Sequence, residues 1–286
     1  MTTGCTAPPA QTPSESDSAS RNGCPAVPGA HTTANAVRSA YDRATLAQKP
    51  VLYLDLIPGT ATAITDLVAC HPSGTWAPAQ SVTSSVALPD GEPAPVFDGT
   101  QSVTVPSSSN LSIPHTGNLT VQAWIRPSTL TFSHTEGSGY VEWLGKGRRG
   151  AFEYAMRMYS TGNTEQRANR TSGYAFNLSG GKGSGSYFQD PLTPSMWIMV
   201  TVVFTLSGSG NYPPASVTIL RNGHIRQLTS LNQFRVTPEA GSASFSVGTL
   251  DGRSFFQGAI AKVAVFDRAL PAETVAMQYR TMTGDR

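Results

Sequence analysis

Apolar and polar residues alternate along much of the chain from about residue 96, as expected for strands with one buried face. In residues 119–127, Val121, Ala123 and Ile125 share one face, and Pro127 ends the segment. Comparable apolar or alternating segments lie at 102–105, 140–147, 151–160, 172–180, 197–204, 216–225, 244–250 and 259–266. Because many short strands with turn residues between them are typical of sandwiches, the pattern predicts an all-β, two-sheet antiparallel jelly roll.

A short helix is predicted before the strands, over residues 33–47. Val37, Tyr41 and Ala44 share one helical face there, and Pro50 would end the helix. The pattern therefore predicts that the sandwich has an N-terminal helix.

The remaining segments predict a first strand, an irregular region and a closing helix. Residues 51–56 are apolar and strand-like, whereas residues 57–95 are rich in loop-forming residues with short possible strands. A second short helix is predicted to begin near Pro271, because proline suits the first helical turn. Val275 and Tyr279, one turn apart, would dock this helix onto the sandwich.

Residues 1–31 differ in composition from the rest of the chain. They are rich in Ser, Thr, Pro, Ala and Gly and have almost no large apolar side chains. Such a segment cannot offset the entropy lost on ordering, so we predict a disordered tail or linker over 1–31 and one domain over 32–286. The three cysteines are Cys5, Cys24 and Cys70. They match no zinc pattern; one disulfide, Cys24–Cys70 or Cys5–Cys24, is the hypothesis.

Charge and hydropathy exclude two classes of partner. The formal net charge is +2, and the 16 arginines and 4 lysines form no stripe, so no nucleic-acid surface is predicted. No run of 18 apolar residues occurs, so no membrane span is predicted. No signal peptide is visible after Met1; the composition of 1–31 nevertheless favours an extracellular or cell-surface location, with a cytoplasmic location as the alternative.

Five segments stand in the order and spacing of a known group of domains. They are "PVFDGTQSVTVP" (95–106), "NLTVQAWIRP" (118–127), "WIMVTVVF" (197–204), "VTILRNGHI" (217–225) and "FQGAIAKVAVFDRALPAETVAMQY" (256–279). In this order the chain resembles laminin-G-like, concanavalin A-like jelly rolls of bacterial secreted type over about residues 36–282. The resemblance implies the fold. It leaves the activity open, because this family includes binding modules, adhesion domains, glycosidases and lyases.

The resemblance also raises the question of calcium, which many of these domains bind through an acidic pair in the last strand. This chain has Ala261 and Lys262 at that pair, and Pro58 follows the first strand where an acidic residue would be expected. Calcium takes about six to eight oxygen ligands, several of them anionic, and a lysine opposes the ion. We therefore expect no calcium site and no other cofactor.

Neither catalytic pattern of the family is present. Glycosidases of this fold resemble one another in a Glu-x-Asp-x-Glu strand, which this sequence lacks, and no clear match to the lyase residues occurs. The histidines fall mostly in predicted loops without fixed acidic, Ser or Cys partners. No catalytic residues are predicted.

The middle strands supply the candidate ligand site. Side chains of a strand alternate between its two faces. The core face should therefore carry Phe152, Tyr154, Met156 and Met158. The outer, concave face then carries Glu153, Arg157 and Tyr159. The remaining candidates are Glu142, predicted to share a face with Tyr140 and Leu144, and two residues of a predicted rim loop, Tyr187 and Gln189. Carboxylate, guanidinium and aromatic groups suit a sugar. The alternative is a cross-strand ion pair of Arg157 with Glu142 or Glu153 that only solvates the sheet.

Four tryptophans complete the candidates. Trp124 and Trp197 lie in dense apolar strands and are predicted to be core, and the position of Trp143 is left open. Trp76, in a predicted loop, is expected to be exposed and available for stacking.

The leading functional prediction is a non-catalytic module that binds carbohydrate or a glycan surface on the concave face. The first alternative is a hydrolase or lyase of the same fold with Glu142, Glu153 and Arg157 at its centre. The second is an adhesion module that binds protein through its loops. The sequence does not identify the sugar or the oligomeric state.

Overall fold

The structure, a computed structural model, describes residues 39–69, 71–79, 82–178, 183–210, 212–232 and 235–285. The predicted tail over 1–31, residues 33–38 of the predicted first helix, and all three cysteines lie outside the described residues. The disulfide hypothesis therefore stays a prediction.

The described part of the chain contains two α-helices, seventeen strands and two short 3-10 helices, Ser109–Leu111 and Ile113–His115. The α-helices are α1 (Ala40–Ala47) and α2 (Ala272–Thr283). The strands are β1 Leu52–Asp55, β2 Ala63–Asp66, β3 His71–Ala77, β4 Ser85–Ala87, β5 Pro93–Asp98, β6 Ser102–Val105, β7 Asn118–Pro127, β8 Tyr140–Arg148, β9 Ala151–Tyr159, β10 Thr171–Phe176, β11 Gly183–Phe188, β12 Ile198–Thr205, β13 Ser216–Arg221, β14 His224–Ile225, β15 Leu228–Ser230, β16 Phe245–Val247 and β17 Gln257–Phe266.

The strands pair antiparallel throughout and form two layers. In the first layer β13, β12, β7 and β17 are neighbours, and β5 and β1 share the far edge of β17. In the second layer the order is β2, β3, β6, β16, β8, β9, β10, β11 and β15. Pairing of β1 with β2 joins the two layers at one edge. The prediction of a two-sheet antiparallel sandwich is confirmed.

The main core lies between the layers. Val121, Ala123 and Ile125 of β7 point into it, as their alternation predicts, together with Trp143 and Met156 from the second layer. Burial of such side chains, at about 25 cal/mol per Å² of apolar surface, is the main source of stability.

A second cluster lies outside the first layer, beneath the two helices. Trp124 projects to this side of β7, where Tyr41 of α1 meets its ring edge-on and Tyr279 of α2 stacks on it at 5.6 Å. Both helix predictions are confirmed where the structure describes them, and α2 begins after Pro271 as expected. Trp197 is only half-buried; its indole N–H donates to the carbonyl of Ala87.

The region expected to be loop-rich contains four strands, β2 to β5. They form because their partners lie far along the chain: β5 pairs with β17 and β3 pairs with β6. The expectation that Trp76 is exposed was therefore wrong. Its side chain lies in β3, is 4 % exposed, and packs on Phe97 at 5.1 Å in the main core.

Candidate functional site

Two of the predicted ligand residues form an ion pair on the outer face of the second layer. Glu142 of β8 lies opposite Arg157 of β9, and both Nε and Nη2 of Arg157 donate to Glu142 Oε1 at 3.0 Å. Glu142 is 2 % exposed. The structure thus contains the cross-strand ion pair that was the alternative interpretation, and its carboxylate partner is Glu142 rather than Glu153.

Aromatic rings surround the Arg157 guanidinium. Its central carbon lies 4.2 Å from the ring centre of Tyr140, 4.6 Å from that of Tyr174 and 5.2 Å from that of Phe176. Each cation–π contact contributes about 0.5–2 kcal/mol, depending on desolvation. The rings therefore hold the guanidinium in one position on the sheet.

Tyr159 lies at the centre of a hydrogen-bond network beside this pair. Ser172 Oγ donates to the Tyr159 hydroxyl at 3.1 Å, and the hydroxyls of Tyr159 and Tyr174 are 3.3 Å apart. Arg167 Nη1 donates to both phenol oxygens, at 3.5 Å and 3.4 Å. The Tyr159 side chain is fully buried.

We call this set the tyrosine–arginine cluster. Its members are Tyr140, Glu142, Arg157, Tyr159, Arg167, Ser172, Tyr174, Phe176 and Tyr187.

Tyr187 and Gln189 were predicted on a rim loop, and the structure corrects this. Residues 183–188 form strand β11, between β10 and β15, so Tyr187 belongs to the sheet. Arg167 lies over the Tyr187 ring at 5.9 Å, which connects Tyr187 to the cluster. Gln189 follows the strand, and its side-chain amide donates to Thr229 rather than facing the cluster.

Glu153 lies apart from the cluster. Its Oε1 contacts the Lys146 ammonium and accepts from the backbone N–H of Gly241 at 2.8 Å. Its backbone lies four positions before Arg157 along β9, about 13 Å at strand spacing, and Arg157 is the residue opposite Glu142. Glycosidases hold their two carboxyl groups about 5–9.5 Å apart on either side of one bond. Glu142 and Glu153, each held in its own ion pair, do not form such an arrangement.

Two β-bulges explain why the strict alternation of side chains between the faces of β8 and β9 fails. The pairing of β8 with β9 shifts between Glu142 and Leu144 and again between Lys146 and Gly147. Leu144, expected on the face of Glu142, therefore lies in the main core together with Trp143. A Cβ added at Gly147 would lie 2.6 Å from the Phe152 Cα, so the second bulge requires glycine.

Phe152 was also assigned to the wrong face. It was expected in the main core with Tyr154, but it packs instead on Phe176 at 5.5 Å in a separate outer cluster. The second bulge, beside Phe152 in the β8 pairing, accounts for the change of side.

Sequence reasoning did not identify four members of the cluster, Arg167, Ser172, Tyr174 and Phe176. The last three alternate along β10, so the argument from alternation that was used for β9 would have found them. Arg167 lies in the polar connection between β9 and β10, where no periodicity places a side chain.

Burial sets the electrostatics of the cluster. It raises the pKa of Glu142, although the charge and hydrogen bonds of Arg157 act in the opposite direction. Burial also raises the pKa of Tyr174 far above its usual range, so this phenol stays protonated and can donate a hydrogen bond. The cluster is thus rich in donors at neutral pH.

A second buried charge network lies at the last strand. Lys262 forms a bulge in β17 with φ of 54°. Its ammonium contacts Asp42 Oδ1 of α1 at 2.8 Å and Glu92 Oε2 at 2.5 Å. The Tyr53 hydroxyl also donates to Asp42 Oδ1 at 2.5 Å. A cation bound here would have to displace an ammonium group that is already paired with two carboxylates.

In the part of the chain that the structure describes, no group of three or more His, Cys, Asp or Glu side chains could hold a metal ion. No helix among these residues is long and apolar enough to cross a membrane.

A cavity of about 180 Å³ lies away from the cluster, between Tyr212 and the start of α2, near Pro271 and Glu273. It shares no residue with the tyrosine–arginine cluster and contains no unpaired buried polar group that would favour a ligand. The cluster therefore remains the candidate site.

Several solved structures have a similar fold. One is the ligand-binding domain of botulinum neurotoxin serotype D in complex with N-acetylneuraminic acid, with a TM-score of 0.55, 12 % identity, and 85 % of this chain and 52 % of that chain covered. Another is the type G receptor-binding domain, with a TM-score of 0.51, 12 % identity and coverage of 81 % and 51 %. This chain spans about half the length of these domains, and at such identity the likeness shows the fold alone.

No curated protein matches the chain in sequence. The family profile described as the concanavalin A-like lectin/glucanases superfamily matches residues 97–276, more than half of the chain. The match includes β6 to β17, and so both the cluster and the last strand. The chain therefore belongs to the concanavalin A-like lectin/glucanase superfamily, in its laminin-G-like branch.

Proposed function

We propose that the protein is a non-catalytic binding module that recognises carbohydrate, or a glycan-bearing surface, on the outer face of its second layer. The observation that carries the proposal is the tyrosine–arginine cluster. Its rings offer faces for stacking, and its guanidinium and phenol groups offer donors for sugar oxygens. Tyr140 and Arg167 are only half-buried, so a ligand can reach them.

Membership of a lectin-like family supports carbohydrate as the ligand class only by analogy of fold. The bound N-acetylneuraminic acid belongs to the toxin domain and assigns no sugar to this chain. The pairing of each carboxylate with a cation favours binding over glycoside cleavage, because neither Glu142 nor Glu153 is left unpaired beside the other.

The test is a panel of polysaccharides, with pull-down and new reducing or unsaturated ends measured on the same samples. We expect retention without cleavage. Tyr140→Ala should weaken binding about fivefold, the equivalent of about 1 kcal/mol of stacking. The matched control is Tyr279→Ala, a half-buried tyrosine on the opposite side of the molecule, which should bind like the parent protein.

Equal binding by the parent protein and Tyr140→Ala would remove this face from consideration. Cleavage that is lost in Glu153→Gln would instead support an enzyme. Alanine at Tyr159 or Arg157 is a poor probe of ligand binding. Tyr159 is fully buried and Arg157 neutralises a buried carboxylate, so we expect both alanine variants to lose stability.

We further propose an extracellular or cell-surface location, where glycan ligands are found. Cell fractionation of the native organism, with the protein recovered only from the cytoplasm, would contradict this location.

We also propose that stability does not depend on calcium, because Lys262 places an ammonium between Asp42 and Glu92. Melting in millimolar calcium and in EDTA, at equal ionic strength, should give the same transition temperature. A fall of several degrees in EDTA would show that a calcium site exists.

A further inference from the structure

Hydrogen-bond donors outnumber acceptors at the Arg167 end of the tyrosine–arginine cluster. The phenol oxygens of Tyr159 and Tyr174 accept from Arg167, and Tyr159 also accepts from Ser172. Only one of the two phenol protons can lie between the two oxygens, which are 3.3 Å apart. The other proton finds no acceptor among the contacts of the described residues. This end of the cluster is therefore suited to an acceptor-rich group.

The acidic partner of Arg167 can be exchanged. Glu165 Oε2 lies 2.8 Å from Arg167 Nη1, but the Glu165 side chain is 46 % exposed and only two residues away. Exposed ion pairs contribute about 0–1 kcal/mol. A ligand carboxylate or sulfate could therefore take the place of Glu165 at little cost.

Positive charge is in excess at the Arg167 end of the cluster. Arg170, three residues along the chain, donates to the carbonyls of Ala168 and Gln189 and makes no ion pair within the described part of the chain. The two guanidinium groups of Arg167 and Arg170 thus have one carboxylate partner among the described residues, Glu165.

The Tyr140 end of the cluster is instead surrounded by carboxylates. Glu136 and Asp251 lie close enough to contribute to the raised pKa of Glu142, after burial as the main cause. Arg149 pairs with Glu136 there, and Arg157 pairs with Glu142. An anionic group would consequently be repelled from the Tyr140 end and attracted to the Arg167 end.

We infer that the ligand of this site is an acidic saccharide, whose carboxylate or sulfate group binds the Arg167 guanidinium in place of Glu165 and accepts a hydrogen bond from a phenol. The inference rests on the proposed carbohydrate-binding function. A planar guanidinium matches both kinds of anion with two parallel N–H donors, whereas a lysine offers a point charge.

The experiment measures binding by calorimetry of three probes: an oligogalacturonate, its carboxyl-reduced neutral counterpart, and a sulfated oligosaccharide of similar length. We expect at least tenfold tighter binding of an anionic probe than of the neutral one, weakening as salt is raised. Arg167→Gln should remove that preference, and Arg167→Lys should retain part of it. Arg280→Gln, an exposed arginine on α2 at the opposite side, is the matched control.

The outcomes separate this inference from the proposed function. Two outcomes would overturn the inference. One is equal binding of the neutral and anionic probes. The other is an unchanged preference for the anionic probe in an Arg167→Gln variant whose melting temperature equals that of the parent protein; in both cases the Tyr140 test of carbohydrate binding still applies. Failure of every saccharide to bind overturns both. A preference for only one anionic probe supports the inference and identifies the anionic group.

Discussion

Lys146→Met is expected to lower the free energy of unfolding by about 3–5 kcal/mol. Lys146 is fully buried; its ammonium contacts Glu153 Oε1 and donates to the carbonyl of Gly241 at 2.6 Å. Without it, Glu153 would be a buried carboxylate held only by the Gly241 N–H, because its Oε2 has no hydrogen-bond partner among the residues that the structure describes. Chemical denaturation measures the loss directly.

Two variants show whether burial causes the effect. Arg149→Met breaks the pair with Glu136, in which the arginine is 51 % exposed, and should cost less than about 1 kcal/mol. The double variant Lys146→Met/Glu153→Met removes both charges and should recover most of the stability. A single-variant loss no larger than that of Arg149→Met would contradict the assignment of a buried pair.

Lys262→Met is also expected to lower the free energy of unfolding by about 3–5 kcal/mol, with a fall of roughly 10 °C in melting temperature. It would leave Asp42, 7 % exposed, without its counterion and would free Glu92. The matched control is Lys49→Met. Lys49 is exposed and has a similar positive φ of 49°, so backbone strain is the same while the buried charges remain paired.

The dependence of folding stability on alkaline pH is a second test of the Lys262 ion pairs. Burial lowers its pKa, but Asp42 and Glu92 outweigh this and raise the pKa above the ordinary value. A raised pKa means that the stabilisation is complete below about pH 10.4, the ordinary lysine value, and is lost as pH rises through the raised value. Lys262→Met should show a smaller alkaline loss than the parent protein, because only the buried tyrosines, whose pKa values are also raised, still titrate in that range. A parent-like alkaline profile in the variant would show that another group is responsible.

Local pattern predicted much of the fold. The alternation of Val121, Ala123 and Ile125 predicted which face of β7 enters the core, since the strand is regular. The position of Pro271 predicted where α2 begins. Both features depend on a few neighbouring residues, which is the range that sequence periodicity covers.

Features that depend on bulges and distant partners could not be predicted in this way. The shift after Glu142 places Leu144 in the core, and nothing in the spacing of β8 indicates an extra residue there. Glu153 pairs with Lys146 rather than Arg157 because the bulged hairpin brings Lys146 beside it. Arg167 comes to the cluster from an irregular connection, so only the three-dimensional structure reveals it.

The candidate site likewise contains residues that local pattern predicted and features that only the structure reveals. Glu142, Arg157 and Tyr159 were predicted by period two, and the structure brings these three together. Whether they bind a ligand stays a proposal. Tyr174 was within reach of the same argument, whereas the depth of burial of Tyr159 depends on how β10 and Arg167 cover it.

The Lys262 network also determines how far the chain can be shortened. The segment that matches the family profile begins at residue 97, after both carboxylates that hold the ammonium, and Asp42 is 220 positions from Lys262 in the chain. A fragment trimmed to residues 97–276 would retain the lysine and discard Asp42 and Glu92. An expression boundary taken from the profile would separate a buried charge from its partners, so we expect a fragment that begins before Asp42 to be the more stable one.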